Sequence, residues 1–372
     1  MMSTNIRTRD NGREHIREML IGDQAVCWLT VIDYTMRIGG AAVRMAGLGN
    51  VETRREHRKK GYMRVLLGDT VPYMQQEGYD VSMLFGIPDF YYRFGYATCL
   101  PIYRATIQTR DAERAAAGAQ PLTSHPIGAP DLPDVIDLYN RNNALRSGSL
   151  IRSAEYFKGF TQGTLWNTPP EGIAFQDVQG RFAGYAAWDG SANVVNVLEV
   201  EAVDAAYYPA LLGEFARLAM ARRCGHITLL MPPDHPFGQF AQAFGLEWSV
   251  RYPRQSDGMG RILNQSTLFE KLRPELARRA AESPLRGRAA SLSLRTELGE
   301  TSLALGAANA PAQGVVKLSQ DRLLQLVMGY CGARELLADS EVRTEQAQPD
   351  LARWLDALFP RGYPHTWQQD NF

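Results

Sequence analysis

The feature that most constrains the fold of this chain is an internal repeat. The segment EVEAVDAAYYPALLGEFARLAMARRCGHITLLMPPDHPFGQFAQAFGLEW lies over NVETRREHRKKGYMRVLLGDTVPYMQQEGYDVSMLFGIPDFYYRFGYATC almost without gaps, so that Phe90 meets Phe240 and Phe94-Gly95 meets Phe244-Gly245. Each copy runs from an apolar stretch through a loop into apolar residues at helical spacing and then into a second apolar run, which predicts a strand–loop–helix–strand–turn unit. In the first copy the helical spacing is carried by Met63, Leu66, Leu67, Val71 and Met74 and ends near Gly78, with Pro72 able to kink it. Two unrelated α/β units with shared patterning would give the same overlay, so the repeat is an expectation for the structure to decide. The copies differ where chemistry would sit: EHRKKG becomes AAYYPA and Tyr91 becomes Ala241, which assigns catalysis to the first copy.

Ahead of the first copy, Val26–Val31, Tyr34–Ile38, a Gly39-Gly40 turn and a run from Val43 to Val51 read as an antiparallel meander. After the helix, Tyr79–Gly86 reads as a buried strand, PDFYYRFGYA as a short helix and turn, and Leu100–Thr109 as another strand. Residues 110–130, rich in Ala, Gly and Pro, read as a linker. Beyond Asn264 come a charged helix over Thr267–Ala281, a strand pair within Ala290–Leu305, a helix over Arg322–Tyr330 and a final segment ending WQQDNF. At 372 residues the chain exceeds what one core usually serves. The prediction is a mixed α+β protein of three domains: residues 1–120, 121–264 and 265–372.

Forty basic and forty acidic residues cancel, leaving no global field for a nucleic acid or an anionic membrane. Cys27, Cys99, Cys224 and Cys331 stand far apart and the six histidines lack ligand spacing, so reduced thiols and no metal are expected. The N-terminal MMSTNIRTRDNGREHIREML scatters charge where a signal peptide would be apolar, and no run approaches the ~18 residues of a membrane span, so a cytoplasmic location is expected.

The segment VETRREHRKKGYMR sets a strand, a basic loop and a helix start in succession. The first amides of a helix have no internal partner and sit at the positive end of its dipole, so they can hold a diphosphate, with Gly61 permitting close approach and Arg58, Lys59 and Lys60 adding charge. Alone, such a run is a solvated turn. The strand before it, the amphipathic helix after it and the inert second copy favour the anion site. His57 reads as a residue that shapes the loop.

At these residues the chain resembles the GNAT superfamily of N-acetyltransferases, whose motif Arg/Gln-x-x-Gly-x-Gly/Ala is matched by Arg58, Gly61 and, imperfectly, Met63. Within it the enhanced-intracellular-survival family tolerates a larger residue at the last position and carries a Tyr-x-Arg-Phe-Gly-Tyr signature, here Tyr91 to Tyr96. The resemblance implies an active GNAT domain, a degenerate one and a sterol-carrier-like C-terminal domain, assembled as a homo-oligomer, a hexamer built as a trimer of dimers. It implies acetyl-CoA as co-substrate, with the backbone of Val51 and Thr53 pairing with the pantetheine arm, Arg58, Lys59, Lys60, Gly61 and Tyr62 around the pyrophosphate, and Gly86 and Tyr91 flanking the thioester. Family members end on a residue whose free carboxylate enters the active site, here Phe372. Fewer residues precede Val51 than in such relatives, so the early helices that wall the acceptor pocket are expected to be shortened or absent.

A tyrosine suits the acid in such a reaction, because a phenol of pKa about 10 stays protonated at neutral pH yet lies near a thiol of about 8.5. Tyr91 takes that role, with Tyr92 and Tyr96 read as core or cap aromatics. For the tail, Trp354, Leu355, Leu358 and Phe359 give an anchoring apolar helix stopped by Pro360, and Tyr363 and Trp367 can pin the segment beyond it. An α-carboxylate of pKa about 3.5 is a weak base, so Phe372 would steady an ammonium and pass its proton through water. Aminoglycosides, polyamines and lysines all remain as acceptors. A lipid or apolar-ligand carrier is the competing reading, resting on fold analogy alone.

Overall fold

The computed structural model describes residues 4–164, 169–191, 193–305 and 310–372. The chain opens with a hairpin, β1 (Thr4–Asn11) and β2 (Glu14–Ile21), followed by β3 (Gln24–Ile38) and β4 (Ala41–Thr53). Where early helices were expected to be shortened or absent, the described N-terminal residues form two strands added to a sheet and no α-helix. β2 pairs with β3 from Glu14↔Ile32 to Ile21↔Gln24. The buried Glu18 is held by Arg7 and Arg9 at 2.8 and 2.9 Å, which lets a charged segment sit on a sheet. The runs Val26–Val31 and Tyr34–Ile38 prove to be one strand. Asp33, which lies between them, stays in the ladder opposite Ala46, and Arg44 Nη2 bonds its Oδ1 at 3.1 Å.

Next come α1 (Tyr62–Gln76), which accommodates Pro72, then β5 (Val81–Gly86), β6 (Ala97–Thr98) and β7 (Ile102–Gln108). The expected linker instead carries α2 (Thr109–Ala115) and β8 (Thr123–Pro126). Its small residues serve close packing: a Cβ at Gly213 would lie 2.7 Å from that of Ala116. The second unit contains α3 (Leu132–Asn142), β9 (Pro170–Gln176), β10 (Phe182–Asp189), β11 (Asn196–Ala202), α4 (Tyr208–Ala221), β12 (His226–Leu229), α5 (Pro236–Gln242), β13 (Glu247–Arg251) and β14 (Asp257–Ile262).

Two seven-stranded sheets result, ordered β1-β2-β3-β4-β5-β14-β6 and β13-β7-β12-β11-β10-β9-β8. The units exchange strands: β7 enters the second sheet between β12 and β13, and β14 enters the first between β5 and β6. The chain crosses between the two large sheets from β6 to β7 and again from β13 to β14, and the third part begins with α6 at Gln265, beside the break expected at 264. The repeat itself is present in three dimensions. β4 and β5 pair in parallel, as do β11 and β12, and Gly95 and Gly245 both take left-handed conformations, with φ of 75° and 92°. One detail of the overlay changes. In the first unit a 3-10 turn, Arg55–His57, is followed by Arg58–Gly61 before α1 starts at Tyr62, whereas in the second the turn Ala205–Tyr207 runs straight into α4 at Tyr208. The basic loop has no counterpart there.

The last part comprises α6 (Gln265–Glu282), β15 (Ala290–Thr296), β16 (Gly299–Leu305), β17 (Ala312–Lys317), α7 (Gln320–Met328), α8 (Ala333–Leu337), β18 (Arg343–Glu345) and α9 (Leu351–Leu358), with sheet order β16-β15-β17-β18. It packs on one face of the first sheet, where Val43, Met45 and Met83 share a core with Leu268, Leu324 and Leu355. The alternate residues Ala46, Leu48 and Leu84 meet Leu66, Leu67 and Met74 of α1 on the other face. Both faces of β4 and β5 are thus covered, and the place where these strands part is flanked by protein on two sides.

Candidate active site

The parallel ladder between β4 and β5 runs from Met45↔Val81 to Leu48↔Leu84 and stops. Beyond it β4 pairs only with β3, through Gly49↔Thr30, Glu52↔Trp28 and Thr53↔Cys27. Asn50, with φ of 51°, sits at the register shift on that side, so the strand bulges as it leaves its neighbour. The half-buried Val51 and Thr53 therefore lie on a strand segment with one edge free of β5, which is what a strand-like pantetheine arm would need.

At the far end of that segment Arg58 Nε donates to the Thr53 carbonyl at 3.1 Å, while Arg58, Lys59 and Lys60 are exposed. Gly61, with φ of 84°, is the N-cap of α1 and offers no side-chain acceptor to its first-turn amides. A Cβ there would have nothing within 4 Å, so the space over the helix start is open. His57 Nδ1 is buried without a partner among the described residues, and its ring lies 5.9 Å from that of the half-buried Tyr62. Free helix amides, an orphaned ring nitrogen and three cations fit a diphosphate.

On the β5 side Gly86 leaves room for the Tyr91 ring, since a Cβ at 86 would fall 2.6 Å from its Cδ2. Tyr91 opens a 3-10 turn, Tyr91–Phe94, with the Phe90 ring edge-on at 4.9 Å. It is 8% exposed, and burial raises its pKa, which keeps the phenol protonated. Its neighbours differ. The fully buried Tyr96 donates to Ser82 Oγ at 2.8 Å, which in turn donates to the Ala46 carbonyl, a tie between β5 and β4. Tyr92 is 40% exposed and accepts from Arg93.

On the β4 side lies the end of the chain. After α9 and Pro360, His365 N–H bonds the Ser147 carbonyl and the Thr366 hydroxyl bonds the Gly148 carbonyl at 2.8 Å. Trp367 is buried, donating from Nε1 to Asn143 Oδ1 at 3.0 Å. Tyr363 contributes less, lying half in solvent with its ring 6.0 Å from Tyr103. The Phe372 ring then packs between Tyr34 and Phe85, at centroid distances of 5.1 and 5.6 Å. Gly47 and Gly49 admit it: a Cβ at 47 would lie 2.9 Å from the ring, and one at 49 would lie 3.2 Å from the terminal carboxyl carbon. The carboxylate thus sits one residue past the last rung on β4, and Tyr91 is seated against the second residue past it on β5.

Sequence reasoning missed Gly47, Gly49, Tyr34 and the residues that hold Asp370. The Gly-Leu-Gly spacing was the one available signal, because glycines two apart on a strand clear one face of it. Among the described residues no group of three His, Cys, Asp or Glu side chains could hold a metal, and no helix is long and apolar enough to cross a membrane.

Residues 8–99 match the family model described as an acetyltransferase (GNAT) domain. The chain carries that domain and is an enzyme of the GNAT acyltransferase class. No curated protein sequence matches the chain. Among solved structures it is similar to a conserved protein from Enterococcus faecalis described as a probable N-acyltransferase, with a TM-score of 0.76 at 16% identity over 100% of both chains. It is also similar to a GCN5-related N-acetyltransferase from Kribbella flavida, with a TM-score of 0.69 at 20% identity over 96% of this chain and 87% of that one. For Eis1 from Mycobacterium abscessus the values are 0.66 and 17%, over 100% of both chains. At such identities the likeness speaks for the fold alone.

Proposed function

We propose that the chain transfers the acetyl group of acetyl-CoA to a primary amine by direct attack on the thioester. The observation that carries this reading is the juxtaposition at the parting of β4 and β5: Tyr91 seated at Gly86 on one strand, the Phe372 carboxylate at Gly49 on the other. Acetyl-CoA, when bound, supplies the activated acyl carbon. Val51 and Thr53 pair with its arm, and Arg58, Lys59, Lys60, Gly61 and Tyr62 hold its diphosphate at the start of α1. The Phe372 carboxylate draws in the acceptor ammonium and accepts its proton through water. The free amine then forms the C–N bond as the C–S bond breaks, the Tyr91 phenol gives its proton to the departing sulfur, and the second proton leaving the nitrogen returns through water to the Tyr91 phenolate.

Aminoglycosides, polyamines and lysines form the candidate acceptor class. The proposal extends to three units, the last sterol-carrier-like, working in the cytoplasm as a hexamer. A panel of these amines scored by coenzyme A release, with melting temperature followed in acetyl-CoA, tests the reaction. Release with none of them and no shift at millimolar acetyl-CoA would reject it. Light scattering tests the assembly, which a monomer mass at micromolar concentration would refute.

A further inference from the structure

The second unit has lost its basic loop yet keeps the parting of strands. The parallel ladder of β11 and β12 ends at Val197↔Leu229, and two residues further along β11 stands Glu199. At this point the last turn of the chain, Gln368–Asp370, packs against β11. Between them lies Arg152. Its Nη1 and Nη2 donate to Glu199 Oε1 and Oε2 at 2.6 and 2.7 Å, while its Nε and Nη2 donate to Asp370 Oδ1 and Oδ2 at 2.9 and 3.0 Å. One guanidinium thus makes two bidentate pairs, and all three side chains are at most 1% exposed. Its plane lies over the Tyr139 ring at 3.6 Å. Asp370 also accepts from the hydroxyls of Tyr139 at 2.9 Å and Tyr156 at 3.4 Å.

Two carboxylates on one buried cation carry a net negative charge out of water, which is a poor device for stability when an apolar contact would serve. Its merit is geometric, because a guanidinium fork accepts carboxylates in fixed directions. Asp370 is only two residues from Phe372, a reach of about 7 Å at full extension. Tyr156 constrains the end a second time: the ring whose hydroxyl meets Asp370 stands edge-on to Tyr34 at 5.4 Å, and Tyr34 packs on the Phe372 ring.

We propose that Arg152 is a positioning residue for acetyl transfer: clamped to Glu199, it holds Asp370 and so sets the terminal carboxylate of Phe372 at Gly49. The second unit is then the dock of the tail, its parting of strands serving the end of its own chain. This inference rests on the proposed role of Phe372 in recruiting the amine.

The test uses Asp370→Asn and a single glycine appended after Phe372, separately and together in the full chain. Coenzyme A release is followed with an aminoglycoside, spermidine and a lysine peptide, alongside carboxypeptidase release of Phe372 from the folded protein. Asp370→Asn is expected to lower kcat roughly 10- to 100-fold, since misplacement near 1 Å already costs about 100-fold. KM for acetyl-CoA is expected to be unchanged, no further loss to occur in the glycine-extended chain, and Phe372 to be released faster. Wild-type kcat in Asp370→Asn with an inactive glycine extension overturns the positioning role and leaves that of Phe372 standing. Losses that multiply in the double variant overturn it as well, by placing Asp370 on a separate route. Wild-type kcat in the extended chain overturns both readings. If Asp370→Asn does not fold, Tyr139→Phe removes one donor to Asp370 and keeps a ring under Arg152. It is expected to lower kcat several-fold with no additional loss in the extended chain, and an unchanged kcat overturns the inference.

Discussion

Replacing Gly47 by alanine should slow the enzyme from the side of the site opposite Tyr91. The added Cβ would lie 2.9 Å from Cδ2 and Cε2 of Phe372 and 2.9 Å from Cε2 of Tyr34, where ordinary contact begins at 3.4 Å. Something must retreat by roughly 0.5 Å. Tyr34 is braced by Tyr156 at 5.4 Å and by the Arg13 guanidinium at 4.9 Å, so the chain end is what yields. If a full ångström costs about 100-fold in rate, half of one costs about 10-fold, and that is the expected fall in kcat. Gly49→Ala, whose Cβ meets the terminal carboxyl carbon at 3.2 Å, needs a shift of a few tenths of an ångström and should cost about 2- to 3-fold. KM for acetyl-CoA should hold in both, and the stability lost at Gly47 should stay near 1 kcal/mol because a terminal residue can give way. Gly68→Ala in α1, with nothing within 4 Å of its Cβ, is the control. It should leave kcat alone and add about 0.5–1 kcal/mol of stability through helix propensity. Initial rates of coenzyme A release at saturating amine give the series. Equal kcat for Gly47→Ala, Gly68→Ala and the unaltered chain would refute the argument that the position of Phe372 controls turnover.

The same geometry sets three further outcomes. Tyr91→Phe should lower kcat roughly 10²–10⁴-fold while acetyl-CoA affinity stays close to wild type, whereas the exposed Tyr92→Phe should do far less, so equal losses would move the acid elsewhere. Acetyl-CoA at 100 times its Kd should stabilise the protein by about 2.7 kcal/mol in thermal unfolding, and Gly61→Val, which places a β-branched side chain at φ of 84° over the start of α1, should abolish that shift. His365 is half-buried beside Arg146 and His235, and desolvation of its ring depresses its pKa well below the usual 6.5. The unfolded chain then takes up a proton that the folded chain refuses, so its contribution is complete above pH 6.5 and falls away below it, by up to about 1.4 kcal/mol per pH unit. His365→Phe, which keeps a ring against Trp367 and Tyr103, should flatten the acid limb of denaturant midpoints between pH 6.5 and 5, and parallel limbs would contradict the assignment.

Much of the architecture is legible along the chain because its signals are local. Helical spacing over Met63–Met74 gave α1, and the loop-then-helix order gave the open N-terminus capped by Gly61. The overlay of the two copies predicted one strand–loop–helix–strand–turn unit twice, and the structure adds that each copy has a parallel strand pair and a left-handed glycine, at 95 and 245. The apolar run Trp354–Phe359 before Pro360 gave α9. Each depends on residues a few positions apart, and propensity and periodicity act over that range.

What only the tertiary structure decided depends on partners distant in sequence. An Ala- and Gly-rich stretch reads as a linker until α4 is brought against it, and Val26–Val31 and Tyr34–Ile38 read as two runs until Asp33 between them is held by Arg44. The charged N-terminus carries no strand reading in sequence, and it joins the sheet as a hairpin with Arg7 and Arg9 closed on Glu18. The exchange of β7 and β14 between sheets leaves no trace in either strand's composition, because any apolar strand can pair with any apolar edge. The seat of Phe372 was hidden for the same reason. Arg152 and Asp370 stand 218 residues apart, and glycines 47 and 49 matter only because the last residue of the chain comes to rest on them. Sequence determined the parts and their local order, and long-range packing alone decided which surfaces meet, because burial and charge pairing act on neighbours in space whatever their distance along the chain.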